Sequence, residues 1–309
     1  MQVQDSAASE VHVFDGRVQV RTASRSHQPS RKQDVTQGKV AVITQSGKLD
    51  ISRLGARPDL FVRDIPGPNA FGIPNKRMDL ADVVGGGSGF GTGRRYAGID
   101  PVTGLTVSTY RSEKRTGNQG YVEVPSLPFV DGVFVPLAEG GLMPISTAGH
   151  HFDFPPGGGD WYVEPAHAGK PDPRAFLTLD GQTYGTTDRP ALLMHANLGI
   201  TFNLDAIRES LTGRRIKRFT SVCGISNHVQ RTKTPDAVIY VLVDGQVRFY
   251  RKIELPTDLA VTIRVDLRED ERFLTLVCMA GTANYGDWTV FGVPALELEG
   301  EFGHAVVPR

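Results

Sequence analysis

An unbroken apolar run, Ala237-Val238-Ile239-Tyr240-Val241-Leu242-Val243, is followed by Asp244-Gly245 and then by Gln246-Val247-Arg248-Phe249-Tyr250-Arg251-Lys252-Ile253. A β-branched and aromatic run without a polar break predicts a strand covered on both faces. Asp-Gly supplies the two positive-φ residues of a tight hairpin turn. The return segment alternates, with Val247, Phe249 and Ile253 expected on one face and Gln246, Arg248 and Lys252 on the other. Further strands are predicted at 199–204, 216–225, 260–266, 273–279 and 288–298, and Leu177–Leu179 leads into an Asp180-Gly181 turn. Asp205 is the expected N-cap of a short helix, Ala206 to Leu211, ended by Gly213.

The first part of the chain is less regular. Val11-His12-Val13-Phe14, Asp15-Gly16 and Arg17-Val18-Gln19-Val20 read as a small hairpin. Residues 22–37 are polar and basic and read as an exposed loop. A strand at Lys39 to Thr44 and another at Lys48 to Ile51 follow. Three prolines in residues 64–76 mark a boundary. Residues 100–175 read as a long loop-rich insertion, with short strands at Tyr121 to Val124, Gly132 to Pro136 and His151 to Phe154.

Composition narrows the function classes. Thirty-five glycines and 20 prolines among 309 residues suit many turns and few long helices. Lys+Arg and Asp+Glu both number 34, so the formal charge is zero and phosphate neutralisation on nucleic acid is disfavoured. No run approaches the roughly 18 apolar residues of a membrane span, and no export signal is visible at the start. The two cysteines, Cys223 and Cys278, read as buried thiols, with a bridge as the alternative.

Most tempting motifs fall to simpler readings. The glycine run 85–93 fits neither dinucleotide nor phosphate-loop spacing and reads as a flexible or bulged loop. Arg214-Arg215-Ile216-Lys217-Arg218 reads as a solvated strand start. Strand alternation sends His150 and His151 to opposite faces, and His151 with Asp153 makes an incomplete metal site. G-x-S-x-G and H-E-x-x-H are absent, and no carboxylate pair is singled out for glycoside hydrolysis; Glu269-Asp270-Glu271 reads as an ordinary turn. No catalytic residue, metal site or cofactor is assigned, and the calcium status stays open. Sugar sites combine an aromatic face with short polar groups. On that logic Trp161, Tyr162, Asn197, Tyr285 and Asp287 are the candidate carbohydrate-binding residues, while Trp288 is expected to be a core ring.

The order of these segments resembles the NPCBM family of carbohydrate-binding modules. The resemblance rests on Gly181-Gln182-Thr183-Tyr184, His195-Ala196, Ile200 to Leu204, Cys223-Gly224-Ile225, the Val238 to Phe249 hairpin, Leu274 to Val277 and Asp287-Trp288. Asp79-Leu80 and Gly89-Phe90-Gly91 are matched to the family's opening strand. Ser226 departs from the usual acidic residue after Gly-Ile, and residues 100–175 exceed the typical module. The resemblance implies an all-β, galactose-binding-like jelly-roll β-sandwich over residues 79–300, non-catalytic, with a polysaccharide or glycan as partner.

Glu10 to Val20 with Val35-Thr36-Gln37-Gly38-Lys39 is similar to the end of FecR-type regulatory domains. That likeness implies a small β-hairpin remnant over residues 1–63, a linker at 64–78, a tail at 301–309 and a periplasmic or extracytoplasmic, signalling setting. It also implies that the chain is the C-terminal portion of an envelope protein. The alternative function is a protein–protein interaction or structural module of the cell envelope, with an envelope protein as partner.

Overall fold

The computed structural model describes the chain outside residues 1, 4–8, 13–16, 22–31, 37–38, 44–48, 53–75, 108–112, 115–119, 138, 158–161, 164, 170–176, 227–234, 255–258, 283–285 and 301–309. It divides into two units, Met1–Ile65 and Pro66–Arg309.

In the first unit, Ser9–His12 pairs with Val40–Ile43, which pairs in turn with Leu49–Ser52. Arg17–Arg21 pairs with Lys32–Thr36. The expected hairpin between residues 11 and 20 is therefore not formed, because its two halves belong to different sheets. The expected loop at 22–37 contains a strand, whose one buried apolar residue, Val35, packs with Val20 and Ala41.

The second unit is a sandwich of two antiparallel sheets. The six-stranded sheet runs in the order Tyr121–Glu123, Val130–Phe134, Leu198–Asn203, Phe273–Ala280, Asp236–Val243, Gln246–Glu254. The larger sheet runs Val261–Asp266, Arg215–Ile225, Trp288–Glu299, Ala191–His195, Ala166–Ala168, Gly98–Ile99, Thr106–Val107. Between them lies the main core, to which Ile239, Val241 and Val243 contribute from one face of the Asp236–Val243 strand. Alternation turns Tyr240 and Leu242 to the opposite face, where they join a second cluster with Phe134, Met143, Ile145 and Phe154. The cover of that outer face is the hairpin Gly141–Pro144 with His151–Phe154. Thr201 Oγ1 donates to Ile145 O at 2.6 Å, and Thr147 N–H donates to Asp131 at 2.8 Å, tying the cover to the sheet. The expectation of a strand shielded on both sides holds, and the insertion supplies one of the shields.

Asp244 and Gly245 turn the chain with φ of 48° and 81°. A bulge between Val241 and Leu242 shifts the register of the return strand. Val247, expected inward with Phe249 and Ile253, consequently lies exposed. Leu204–Ser210 is the short helix, and its N-cap is Asn203, whose Oδ1 accepts the Ala206 N–H at 3.0 Å. Asp205, expected in that role, sits in the first turn and pairs with Arg208 and Arg272. Both cysteines are buried free thiols.

Candidate functional site

One gap in the larger sheet shapes the site. The Trp288–Glu299 strand is long enough to carry two partners along the same edge: Ala191–His195 pairs with its first half, from His195↔Trp288 to Ala191↔Gly292. Arg77–Asp79 pairs with its second half, from Asp79↔Ala295 to Arg77↔Glu297. Between them, Val293 takes a φ of 48° and donates its N–H to Pro190 O at 2.7 Å. The neighbouring strand is out of register at the same place, between Thr220 and Val222. Pro294 needs no ladder N–H there, as a bulge permits.

A cavity of about 200 Å³ opens over this gap, with Asp79, Asp82, Gly93, Arg94 and Arg95 on one side and Ala168, Gly169, Gly185, Pro190 and Ala191 on the other. The glycine run builds the first wall. Met78 is wholly buried and Leu80 begins a five-residue helix, Leu80–Val84, capped by Asp79 through a 2.8 Å bond from the Ala81 N–H. Asp82 then collects the loop: its Oδ2 accepts from Gly89 N–H at 2.7 Å and its Oδ1 from Gly93 N–H at 2.6 Å. A Cβ on Gly87 would stand 2.3 Å from Asp82 Oδ2, so glycine is required for this wrap. The loop, expected to be flexible or bulged, is thus folded around a single carboxylate. Two of its N–H groups point at that carboxylate, which agrees with the rejection of a phosphate loop.

Tyr96, 41% exposed, is not itself part of the lining but adjoins two lining residues, Arg95 and Gly169, and its backbone N–H is bonded to Ala168 O at 2.8 Å. The Arg95 guanidinium lies 5.2 Å from the centre of the Tyr96 ring and donates to Gly185 O at 2.6 Å. A methyl placed on Gly169 would touch the ring edge at 3.8 Å. Burial pushes the Asp79 carboxyl up to about 7, with nearby Asp82 adding to the effect and the Ala81 N–H opposing it.

The residues expected to bind sugar are distributed otherwise. Trp161 and Tyr285 lie outside the described residues, and of Tyr162 only the backbone is described, paired with Lys114. Asn197 and Asp287 do come together, at the His195 end of the Ala191–His195 strand, and both are buried, 8% and 0% exposed. Asn197 Oδ1 accepts from Ala280 N–H at 2.7 Å, and Asp287 Oδ1 from Asp236 N–H at 3.1 Å. Asp236 in turn holds Thr282 through its N–H and Oγ1, each at 3.0 Å. Asp287 Oδ2 meets no partner among the described residues. Its carboxyl is pushed up to about 8 by burial and, secondarily, by Asp236. Trp288 is half-buried, edge-on to His195, and packs on a small cluster containing Leu193 and Val290.

The other motifs settle as follows. Arg215, Lys217 and Arg218 are matched by Glu299, Glu269, Asp266 and Glu297. His150 bonds Ser146 Oγ and His151 bonds Gly149 O, each through its own Nδ1. Glu271, expected in an ordinary turn, is buried and pairs with Arg248 and Arg268. No group of three or more His, Cys, Asp or Glu that could hold a metal ion occurs among the described residues.

Comparison with known families places one boundary inside this picture. Residues 165–297 match the NPCBM/NEW2 domain. The matched segment supplies the Ala168 to Ala191 wall of the cavity and the whole Asn197–Asp236–Asp287 cluster, while the glycine-loop wall lies before it. Among solved structures, the chain is similar to CBM51 from Clostridium perfringens GH95 in complex with methyl-galactose, at 20% identity and a TM-score of 0.32, covering 39% of this chain and 79% of that one. It is similar to the tandem CBM51 modules of a family 98 glycoside hydrolase from Streptococcus pneumoniae, at 19% identity and a TM-score of 0.33, covering 41% and 36%. A third similarity is to CBM51-2 with GlcNAc and the INT domains of Clostridium perfringens ZmpB, at 13% identity and a TM-score of 0.34, covering 85% and 38%. Comparison with curated proteins gives no match.

The cavity, Tyr96 and Arg95 escaped the sequence reading. Asp82 stands three residues before the glycine run, and a carboxylate so placed is the signal that the run wraps something.

Proposed function

We propose that the second unit is a non-catalytic carbohydrate-binding module that takes a sugar ring in the cavity beside Tyr96. The match of residues 165–297 to the NPCBM/NEW2 domain carries this reading, because that segment furnishes one wall of the cavity. A volume of about 200 Å³ is below the roughly 300–1,000 Å³ of drug-sized sites, and suits one ring rather than a chain. The exposed part of the Tyr96 ring, adjoining the lining and partly covered by Arg95, offers apolar surface on which sugar C–H groups pack, while Arg95, Asp79 and backbone groups of the lining offer hydrogen bonds.

Hydrolysis is the poorer reading of the same groups. A glycosidase needs two carboxylates free to face the bond. Asp79 and Asp82 both line the cavity, and both oxygens of Asp82 are held by loop N–H groups. The extracytoplasmic setting and the link to a FecR-like regulatory protein belong to the same proposal, supported by the resemblance of residues 10–39 alone. Titration of the full chain against a panel of monosaccharides and oligosaccharides tests the central claim. Binding should appear in the micromolar to millimolar range, and Tyr96→Ala should weaken it about tenfold, the equivalent of about 1.4 kcal/mol. Loss of binding in Trp161→Ala with no change in Tyr96→Ala would move the site to the residues expected from sequence. A chain that binds no sugar and captures an envelope protein instead would favour the interaction module.

A further inference from the structure

The charges around the cavity are unequally spent. Elsewhere in the sandwich many surface cations sit on carboxylates: Arg77 on Glu297, Arg208 and Arg272 on Asp205, Arg215 on Glu269 and Glu299, Arg218 on Asp266 and Arg248 on Glu271. Arg94 and Arg95 line the cavity and have no carboxylate partner among the described residues. Among the described residues Arg95 is held by the carbonyl of Gly185 and the face of Tyr96. Arg189, on the turn that closes the opposite wall, is bonded to the neutral Gln182 side chain.

The acidic groups of the lining do not balance these cations. Both oxygens of Asp82 are engaged by Gly89 and Gly93 N–H groups. One oxygen of Asp79 accepts from Ala81, and burial raises its carboxyl to about 7, so that it carries only part of a negative charge at neutral pH. Asp188, exposed on the 185–190 turn, does not line the cavity. A cavity lined by two arginines that no carboxylate neutralises among the described residues, beside an aromatic ring, suits a planar anion attached to a ring.

We propose that the sugar recognised here is an acidic one, a saccharide bearing a carboxylate that Arg94 and Arg95 meet while its ring lies against Tyr96. This rests on the reading of the cavity as the sugar site. The carboxylate is the committed chemistry; a sulfated sugar shares the negative charge and is distinguished by the test.

The experiment is calorimetric titration of the full chain with galacturonate and glucuronate, against galactose and glucose, and against galactose 6-sulfate. The uronates should bind at least tenfold more tightly than their neutral counterparts at low salt, with the margin shrinking several-fold by 0.5 M NaCl. The margin should fall towards one in the double variant Arg94→Gln with Arg95→Gln. The salt series on the unaltered chain reads the same charge contribution without any variant that has to fold. Neutral sugars binding as tightly as uronates, or the sulfate being preferred, would overturn the carboxylate assignment and leave the cavity reading standing. No binding of any sugar would overturn both.

Discussion

The two ends of the Ala191–His195 strand solve the same problem in opposite ways. At each end an acidic side chain gathers loop backbone: Asp82 binds the glycine run, and Asp287 with Asp236 binds the start of the Asp236–Val243 strand and the Gly281-Thr282 turn. At the Ala191 end the gathering leaves a cavity lined by Arg94 and Arg95, with exposed Tyr96 adjoining it. At the His195 end Asp287 is wholly buried, with one oxygen unpartnered among the described residues. The same residue type therefore borders open space in one place and is wholly buried in the other. Conformation decides between them. Glycine lets the first loop fold tightly around its carboxylate, whereas the second carboxylate is buried against the start of the Asp236–Val243 strand, where it accepts from the Asp236 N–H.

The sharpest way to separate the ends is by pH. Asp287 and Asp79 both hold their protons more tightly folded than unfolded, with folded values of about 8 and about 7 against an ordinary 3.8. For a raised acid the stabilising contribution is complete below the unfolded value and is lost as pH climbs through the folded one. Stability should therefore fall from about pH 4 towards pH 8, by up to about 1.4 kcal/mol per pH unit for each such group. Asp287→Asn keeps an acceptor for the Asp236 N–H and has no proton to lose. It should flatten the slope between pH 7 and pH 8, where Asp287 alone still titrates. Asp79→Asn should flatten only the part below about pH 7. Thermal melts of the two variants from pH 5 to pH 9 decide this, and an unaltered slope in both would refute the assignment of either acid.

A smaller effect is expected from Asp82→Ala, about 3 kcal/mol of lost stability, from two charge-assisted bonds to Gly89 and Gly93. Sugar binding should fall with it, because the wall that carries Arg94 and Arg95 loses its pin. Urea denaturation paired with titration checks both. A variant that binds normally despite the destabilisation would mean that the glycine loop is not part of the site.

How much of this was legible follows from the range of the contacts involved. From Leu177 onward most strands show as alternating or continuous apolar runs, and Asp180-Gly181 and Asp244-Gly245 announce their turns, so much of the sandwich could be read locally, although Ala191–His195 was not among the expected strands. Lys32–Thr36 could not, since a strand with one buried apolar residue has no pattern to show. The helix cap was missed by two positions because Asn203 and Asp205 are equally good caps on paper, and only Asn203 lies at the end of the extended strand. Tyr96 and Arg95 were invisible for a different reason. Their meaning comes from Gly169 and Gly185, some seventy to ninety residues away, and no local spacing encodes it.

Asn197 tests whether the sealed end is only structural. Its Oδ1 accepts the buried Ala280 N–H, and removing that acceptor in Asn197→Ala leaves a donor unsatisfied, at a cost of about 2 kcal/mol. If the open end is the sugar site, affinity measured well below the melting temperature should change less than twofold, because the cavity and Asn197 lie at opposite ends of the Ala191–His195 strand. Should affinity drop tenfold while stability is barely altered, Asn197 would be touching ligand through its remaining polar atom. The two ends would then exchange roles, with Trp161, Tyr285 and Asp287 regaining their place around the sugar.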